Sequence, residues 1–559
     1  MPDTTLSSDA TTLVAPPERC VYLVASGDLR ESANTAGWPV QAAVEQSVTR
    51  AIEAEGWSVV RAHPVDADRG HGFISTQRQG LEVFKSIPVD SPVVVVEAVW
   101  QYSHHVLGGL RTHAGPILTV ANFEGEWPGL VGLLGLNAGL AKMGKPYATL
   151  WSRTFDDEWF LHRLREWLAG RSVEHDDSHV ADWSTVSTTA FEAERAAGSA
   201  LGAQFLREKA IIGVFDEGCM GMYNAIIDDE LLNPAGIYKE RLSQSALWAE
   251  MQKTTEADAE AVGQWLRDAG MTFDVGVDEA TELTESQLMW QYKMYISALR
   301  IADDFGLDAV GIQYQQGLKD ICPASDLAEG ILNNVDRPPV LSRDGERELF
   351  AGRALPHFNE ADEGVAVDAL ITHAVWNELG WDPATTLHDV RWGDWHDDRF
   401  VWVWEISGSV PPSHLVGGYR GAEGWRQSPV YFPLGGSTIR GVSKPGSVVW
   451  SRVFVLPDGL HVDLGIAEAV TLPTEETERR WAATNPEWPI MHAVLPGISR
   501  DQFMARHKAN HLNVAYAPDD RSALGALVMK ASMFETLGIT VHICGSAGEQ
   551  LGSGNSGLP

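Results

Sequence analysis

Three polar stretches stand where a folded chain of this composition would otherwise place apolar filling. Gly311–Glu329 (GIQYQQGLKDICPASDLAE) runs from an expected strand end through a polar loop into a helix. Phe358–Gly364 (FNEADEG) lies at the mouth of another helix, and Arg506–Tyr516 (RHKANHLNVAY) sets His and Asn before an apolar, strand-like run. Two carboxylates and one imidazole from such stretches would hold a hard divalent ion and leave positions open for water or substrate hydroxyls. The same residues also read as exposed acids plus one hydrogen-bonded histidine. The commoner catalytic signatures are missing. The chain has no G-x-x-x-x-G-K-[ST], no H-E-x-x-H, no G-x-S-x-G and no credible dinucleotide fingerprint. Phosphate-cradling NTPases and serine hydrolases are thereby demoted.

The elements that must position these stretches follow from periodicity. Cys20–Ala25, Ser58–Ala62, Pro92–Val96, Ile117–Ala121 and Tyr147–Trp151 read as strands. Between them, Val40, Val44, Val48, Ala51 and Ile52 form a helical stripe, and Phe73–Phe84 and Leu130–Met143 read as helices. Such βα alternation predicts a parallel sheet with helices on both faces and ligands at the carboxyl ends of its strands. Ser172–Ser184 reads as a linker, followed by a helix near Thr188–Lys209, a strand at Ala210–Phe215 and the loop Asp216–Asn224. Helices are expected at Lys239–Gln252 and Glu256–Ala269. Thr284 and Gln287 have capping-box spacing before a stripe of Leu288, Tyr292, Tyr295, Leu299 and Ala302. Ala309–Gln313 closes this second unit as a strand. Beyond Leu355 one helix, Gly364–Leu379, precedes a region rich in Trp, Val, Gly and Pro, with strands such as Phe400–Ile406 and Val448–Leu456. The fold class expected is α/β: two N-terminal parallel-sheet α/β domains (1–172 and 173–354) followed by a mainly β C-terminal domain (355–559). Residues 1–18 and 545–559 are expected to be flexible.

Composition narrows the partners. The 559 residues carry 76 acids against 42 Lys and Arg, a net charge of −34. That balance repels phosphate backbones and anionic membranes, while 44% hydrophobic residues and 21 Trp are too many for a disordered acidic chain. Four scattered Cys form neither a disulfide framework nor a zinc knuckle. No signal-like or membrane-spanning segment is apparent, so a soluble, cytoplasmic protein is expected.

Particular segments also carry a family resemblance. Pro323–Asn333 (PASDLAEGILN), Asn359–Gly364 (NEADEG) and Ala509-Asn510-His511 resemble motifs of the L-fucose isomerase family, and the resemblance runs from about Cys20 to Cys544. It implies a hexameric or trimeric, Mn²⁺-dependent aldose–ketose isomerase, with Mg²⁺ or Co²⁺ as alternative metals and a small sugar as substrate. It implies Glu329, Asp362 and His511 as metal ligands, with Glu329 and Asp362 doubling as the acid–base pair. Arg30 in Gly27–Ser32 matches an arginine that reaches a neighbouring subunit's site in the family. Trp100, Tyr431, Trp488 and Asn510 match substrate-facing positions, while Phe123–Gly129 and Met220-Gly221-Met222 resemble adjoining loops. Ordinary burial of these aromatics is the competing explanation. Arg506, His507, Lys508 and His492 depart from the pattern, and Gly311–Gln316 follows it only in part. Those departures point to an altered sugar, such as one bearing an anionic substituent. A metal-dependent epimerase or lyase on the same scaffold and a non-catalytic sugar-binding protein are the rival readings.

Overall fold

A computed structural model describes residues 19–553. The architecture is α/β, with two parallel sheets and a mixed third sheet in the C-terminal region. The first sheet runs Ser58–Arg61, Cys20–Val24, Val93–Glu97, Ile117–Asn122, Ala148–Ser152, every pair parallel. Its central strand explains the run of valines. Val94 and Val96 pack with Val44, Val48 and Phe160 on one face, while Val93 and Val95 pack with Val83, Val106 and Leu136 on the other. A strand buried on both faces has no polar alternation to show. Two helices of this layer, His104–Thr112 and Glu158–Leu168, were not expected from periodicity.

The second sheet is Ala309–Ile312, Ala210–Phe215, Ile237–Leu242, again parallel. The helix expected at Lys239–Gln252 is corrected: Ile237–Leu242 is an edge strand and only Gln244–Met251 is helical. The charged edge strand lacks an apolar period because Lys239 folds inward onto Glu363, 3.1 Å away. The capping box at Thr284 and Gln287 forms and starts the helix Glu285–Phe305, whose five stripe residues are all buried.

The third sheet orders eight strands: Gly446–Leu456, His511–Tyr516, Thr386–His396, Arg399–Glu405, Ile490–Val494, Gly459–Ala469, Thr540–Cys544, Val180–Asp182. Gly446–Leu456 also pairs with Gly459–Ala469, which closes six of the strands into a ring. Val180–Asp182 belongs here, and so does the helix Glu192–Glu208, which packs along Asp520–Thr536. A Cβ at Gly198 would lie 2.1 Å from the Met529 carbonyl oxygen, so that crossing requires glycine. The boundary expected at residue 173 therefore gives too much to the second unit. Of the expected flexible segments, 1–18 lies outside the described residues, whereas Ser546–Ser553 is helical. Among the described residues no helix is long and apolar enough to cross a membrane.

Candidate active site at the junction of the three sheets

The strand Ala309–Ile312 leads the site. Its Val310 bridges to His357, which brings Phe358–Asp362 alongside. Glu360 (φ 57°) and Ala361 (φ 52°) are both left-handed. Two successive non-glycine residues in that region cost about 1–3 kcal/mol each and persist only where surrounding structure imposes them. The turn aims Glu360 inward. The next residue, Asp362, caps the helix Glu363–Glu378 by accepting from the backbone N–H of Gly364 (3.0 Å) and Val365 (3.3 Å).

The other contributors come from the mixed sheet. His511 and Asp389 are register partners on adjacent antiparallel strands, so their side chains share a face. His511 Nε2 lies 3.3 Å from Asp389 Oδ1 and 3.5 Å from Glu360 Oε2. Neither Nε2 nor Asp389 Oδ1 has a hydrogen-bond partner, although both are buried. On the opposite edge of the ring, Nδ1 meets Asp362 Oδ2 at 2.8 Å. Burial opposes the imidazolium form of His511, but Asp362, Asp389 and Glu360 outweigh it and hold its pKa well above the usual histidine value.

Glu360 and Asp389 open into a pocket also lined by Arg30, Trp100, Tyr431 and Trp488. Arg30 is anchored by Asp28 (Nε–Oδ1 2.9 Å, Nη2–Oδ2 2.6 Å) and lies 4.8 Å over the Tyr431 ring. It reaches this cavity within one chain, rather than only a neighbouring subunit's. The Trp100 Nε1–H is buried without an acceptor. Trp488 Nε1 donates to Gln427 Oε1 (2.9 Å), and Gln427 Nε2 donates to Asp326 Oδ2 (2.9 Å), so this tryptophan is fixed from behind.

Several expected positions fall elsewhere. Glu329 stands apart from this grouping. It sits on the short helix Asp326–Leu332, accepts from Asn359 Nδ2, and does not line the cavity. Burial, with Asp326 and Glu360 nearby, holds its carboxyl well above the ordinary range. Asp362 is brought to His511, but in this ligand-free structure it is held by protein groups. Both its oxygens are engaged, by Gly364, Val365, His511 and Arg452 (Nη1–Oδ2 2.6 Å), and it has no exposed surface. Asn510 is buried off the wall, its Nδ2 3.1 Å from Met222 Sδ. The departing residues do not form the sugar-reading wall. Arg506 pairs with Asp463 at 2.6 Å, His507 hydrogen-bonds the His511 carbonyl at 3.1 Å, and Lys508 bonds the Ala505 carbonyl at 3.1 Å. His492 is buried in its strand. The cavity's cations are Arg30 and Arg391 instead.

Asp389 and Arg391 were missed entirely. They lie in HDVRW, whose alternation is masked because the first eight residues of Thr386–His396 are all buried. Glu360 was within a recognised motif, but nothing local to NEADEG says which acid turns inward.

The donor set was tested against a divalent ion. Cis ligands at about 2.1 Å from an octahedral ion lie about 3 Å apart, and the 3.3 Å and 3.5 Å spacings are a few tenths wider. Among the described residues no three such side chains already close on one point. Two carboxylates and an unpartnered imidazole nitrogen nevertheless supply the right chemistry and approximately the right spacing. No protein-family model matches the chain, and no curated protein matches it. Function must therefore be read from the residues and their geometry.

Proposed function

We propose that the protein is a divalent-metal-dependent aldose–ketose isomerase acting on a small sugar, with Glu360, Asp389 and His511 as the metal-holding residues. The observation that carries this reading is the approach of His511 Nε2 to Asp389 and Glu360, the two acids that line an aromatic-walled cavity. The resemblance to L-fucose isomerases supports the reaction class and, among these three groups, His511.

The reaction moves a proton from C2 of a hydroxy-aldehyde to C1 and the hydroxyl proton from O2 to O1, through an ene-diol whose developing negative charge is the main barrier. A divalent ion at this site would supply Lewis-acid stabilisation of that charge. The chain's own groups do the rest. Glu360 and Asp389 stand on different elements, and their carboxylates are the groups placed to take a proton and return it. Trp100 and Trp488 offer flat apolar surface to the sugar's C–H face. Trp100 Nε1–H needs an acceptor, which a substrate hydroxyl provides. Arg30 holds Tyr431 in place from its anchor on Asp28.

The test is incubation of the protein and Mn²⁺ with a panel of aldoses: L-fucose, D-arabinose and an anionic aldose. The readout is ketose formation, with D₂O and NMR to locate the transferred proton. A ketose product with deuterium at C1 is expected. Reprotonation at C2 alone would identify an epimerase, elimination a lyase, and no turnover of any sugar would overturn the reading.

A further inference from the structure

Gln427 is fully buried and stands behind the cavity wall rather than in it. Its side-chain amide meets three partners. Oε1 accepts from Trp488 Nε1 (2.9 Å), while Nε2 donates to Asp326 Oδ2 (2.9 Å) and to the Ser407 carbonyl (2.8 Å). An indole N–H can only donate and a carbonyl can only accept, so one orientation of the amide satisfies all three. Two of these partners, Trp488 and Ser407, line the cavity. The Ser407 hydroxyl in turn donates to Glu360 Oε1 (3.3 Å). One buried amide therefore holds the stacking face at one end and, through a single serine, a cavity carboxylate at the other.

The backbone around the amide is tied down as well. Gln427 N donates to the Gly436 carbonyl (2.8 Å), and the Gly408 carbonyl accepts from Ile439 N (2.7 Å). Gly408 has φ 90°, and a Cβ there would lie 2.5 Å from Gln427 Nε2. Glycine at that turn is what lets the chain beyond Ser407 pass against the amide. The indole is held at other points too. The Trp488 carbonyl accepts from Trp481 Nε1 (2.8 Å), and the Arg391 guanidinium lies 5.8 Å from the centre of its ring.

We propose that Gln427 is a positioning residue that sets the placement of the Trp488 face relative to Glu360, and with it the pose of the sugar against the acid–base groups. This rests on the isomerase reading of the site. The nearest replacements fail for physical reasons. Glutamate would turn an oxygen toward the Asp326 and Ser407 oxygens, asparagine is one methylene short, and methionine has no N–H to donate.

Gln427→Met keeps the length of the side chain and removes all three bonds. Steady-state kinetics with Mn²⁺ and whichever of L-fucose, D-arabinose or an anionic aldose wild type turns over best are measured per folded chain, with circular dichroism to confirm the fold. Gln427→Met should lower kcat/KM by about 10–100-fold. The loss should be shared between a higher KM and a lower kcat, because both the stacking face and Glu360 shift; a purely structural role would reduce the yield of folded protein and leave both constants alone. Trp488→Phe keeps an aromatic ring and removes only the Nε1–H bond, so it should lower kcat/KM by about threefold to tenfold. In the Gln427→Met background the same substitution should have no further effect. Unchanged kcat and KM in Gln427→Met, or effects of the two substitutions that simply multiply, would overturn the positioning role and leave the isomerase reading standing. No turnover of any aldose by wild type would overturn that reading and this inference with it. Should Gln427→Met fail to fold, Gln427→Asn, which retains a polar amide but cannot reach both ends, is measured in the same way with the same outcomes.

Discussion

The helix Glu363–Glu378 has a buried polar cluster at its start and another two turns further on, and they differ in one respect. In the inner cluster Lys530 bonds Asp368 (2.8 Å), Thr372 (2.7 Å) and Ser451 (2.7 Å), and Asn513 supplies Asp368's other oxygen (2.6 Å). The charges there are answered by other protein groups, although Asn513 Oδ1 is buried without a partner. At the start of the helix, His511 Nε2 and Asp389 Oδ1 are equally buried, yet they face each other across an unclosed gap beside a cavity. Leaving buried polar atoms unpaired costs about 1–3 kcal/mol each. The inner cluster pairs its charges in the core, whereas the two acids beside His511 open into a pocket, where something bound could meet them.

That contrast can be broken by mutation. The largest effect is expected from Glu360→Gln or Asp389→Asn. Each should lower ketose formation by about 10²–10⁴-fold while the thermal midpoint stays close to wild type; near-normal turnover would remove the site from this cavity. Lys530→Met should do the converse. Stranding Asp368 in the core costs about 3–5 kcal/mol, visible in denaturant unfolding, whereas KM of the folded enzyme should not move. A smaller change is expected from Trp488→Ala, which removes one stacking face worth about 1 kcal/mol. KM should rise roughly fivefold, with a lesser effect on kcat.

Glu329→Gln sharpens the comparison with the smallest effect. The family resemblance alone makes this residue a ligand, and then turnover would collapse. Placed behind the wall, it should tolerate an amide, with activity within about threefold of wild type. The pH dependence has a definite sign. A carboxyl whose folded pKa is raised contributes stability below its unfolded pKa, about 4.3, and loses it as pH rises toward the folded value. Thermal melts across acid to mildly alkaline pH should show wild type losing ground to Glu329→Gln. The opposite slope would mean an ionised Glu329, as a ligand would be.

Much of the scaffold was legible. The parallel sheet around Val93–Glu97, the capping box at Thr284 and the three polar stretches all follow from periodicity and local hydrogen-bonding chemistry. What failed did so for physical reasons. The strand Ile237–Leu242 looks helical because its lysine pairs with a residue of a distant helix, and Asp389 is invisible because its strand is buried on both faces. The cationic run at Arg506–Lys508 looked like a substrate wall, but Asp463 and two backbone carbonyls claim it.

Residue order alone sets the layers, the net charge and the segment NEADEG as a place for acids. Only the tertiary structure decided which acid does which work. A left-handed turn at Glu360–Ala361 points one carboxylate into the cavity and seats the next, Asp362, under a helix N-terminus. The antiparallel register that sets Asp389 beside His511 supplies the third group. Side-chain direction depends on backbone dihedrals and strand pairing, and neither is written in the identity of the residue that obeys them.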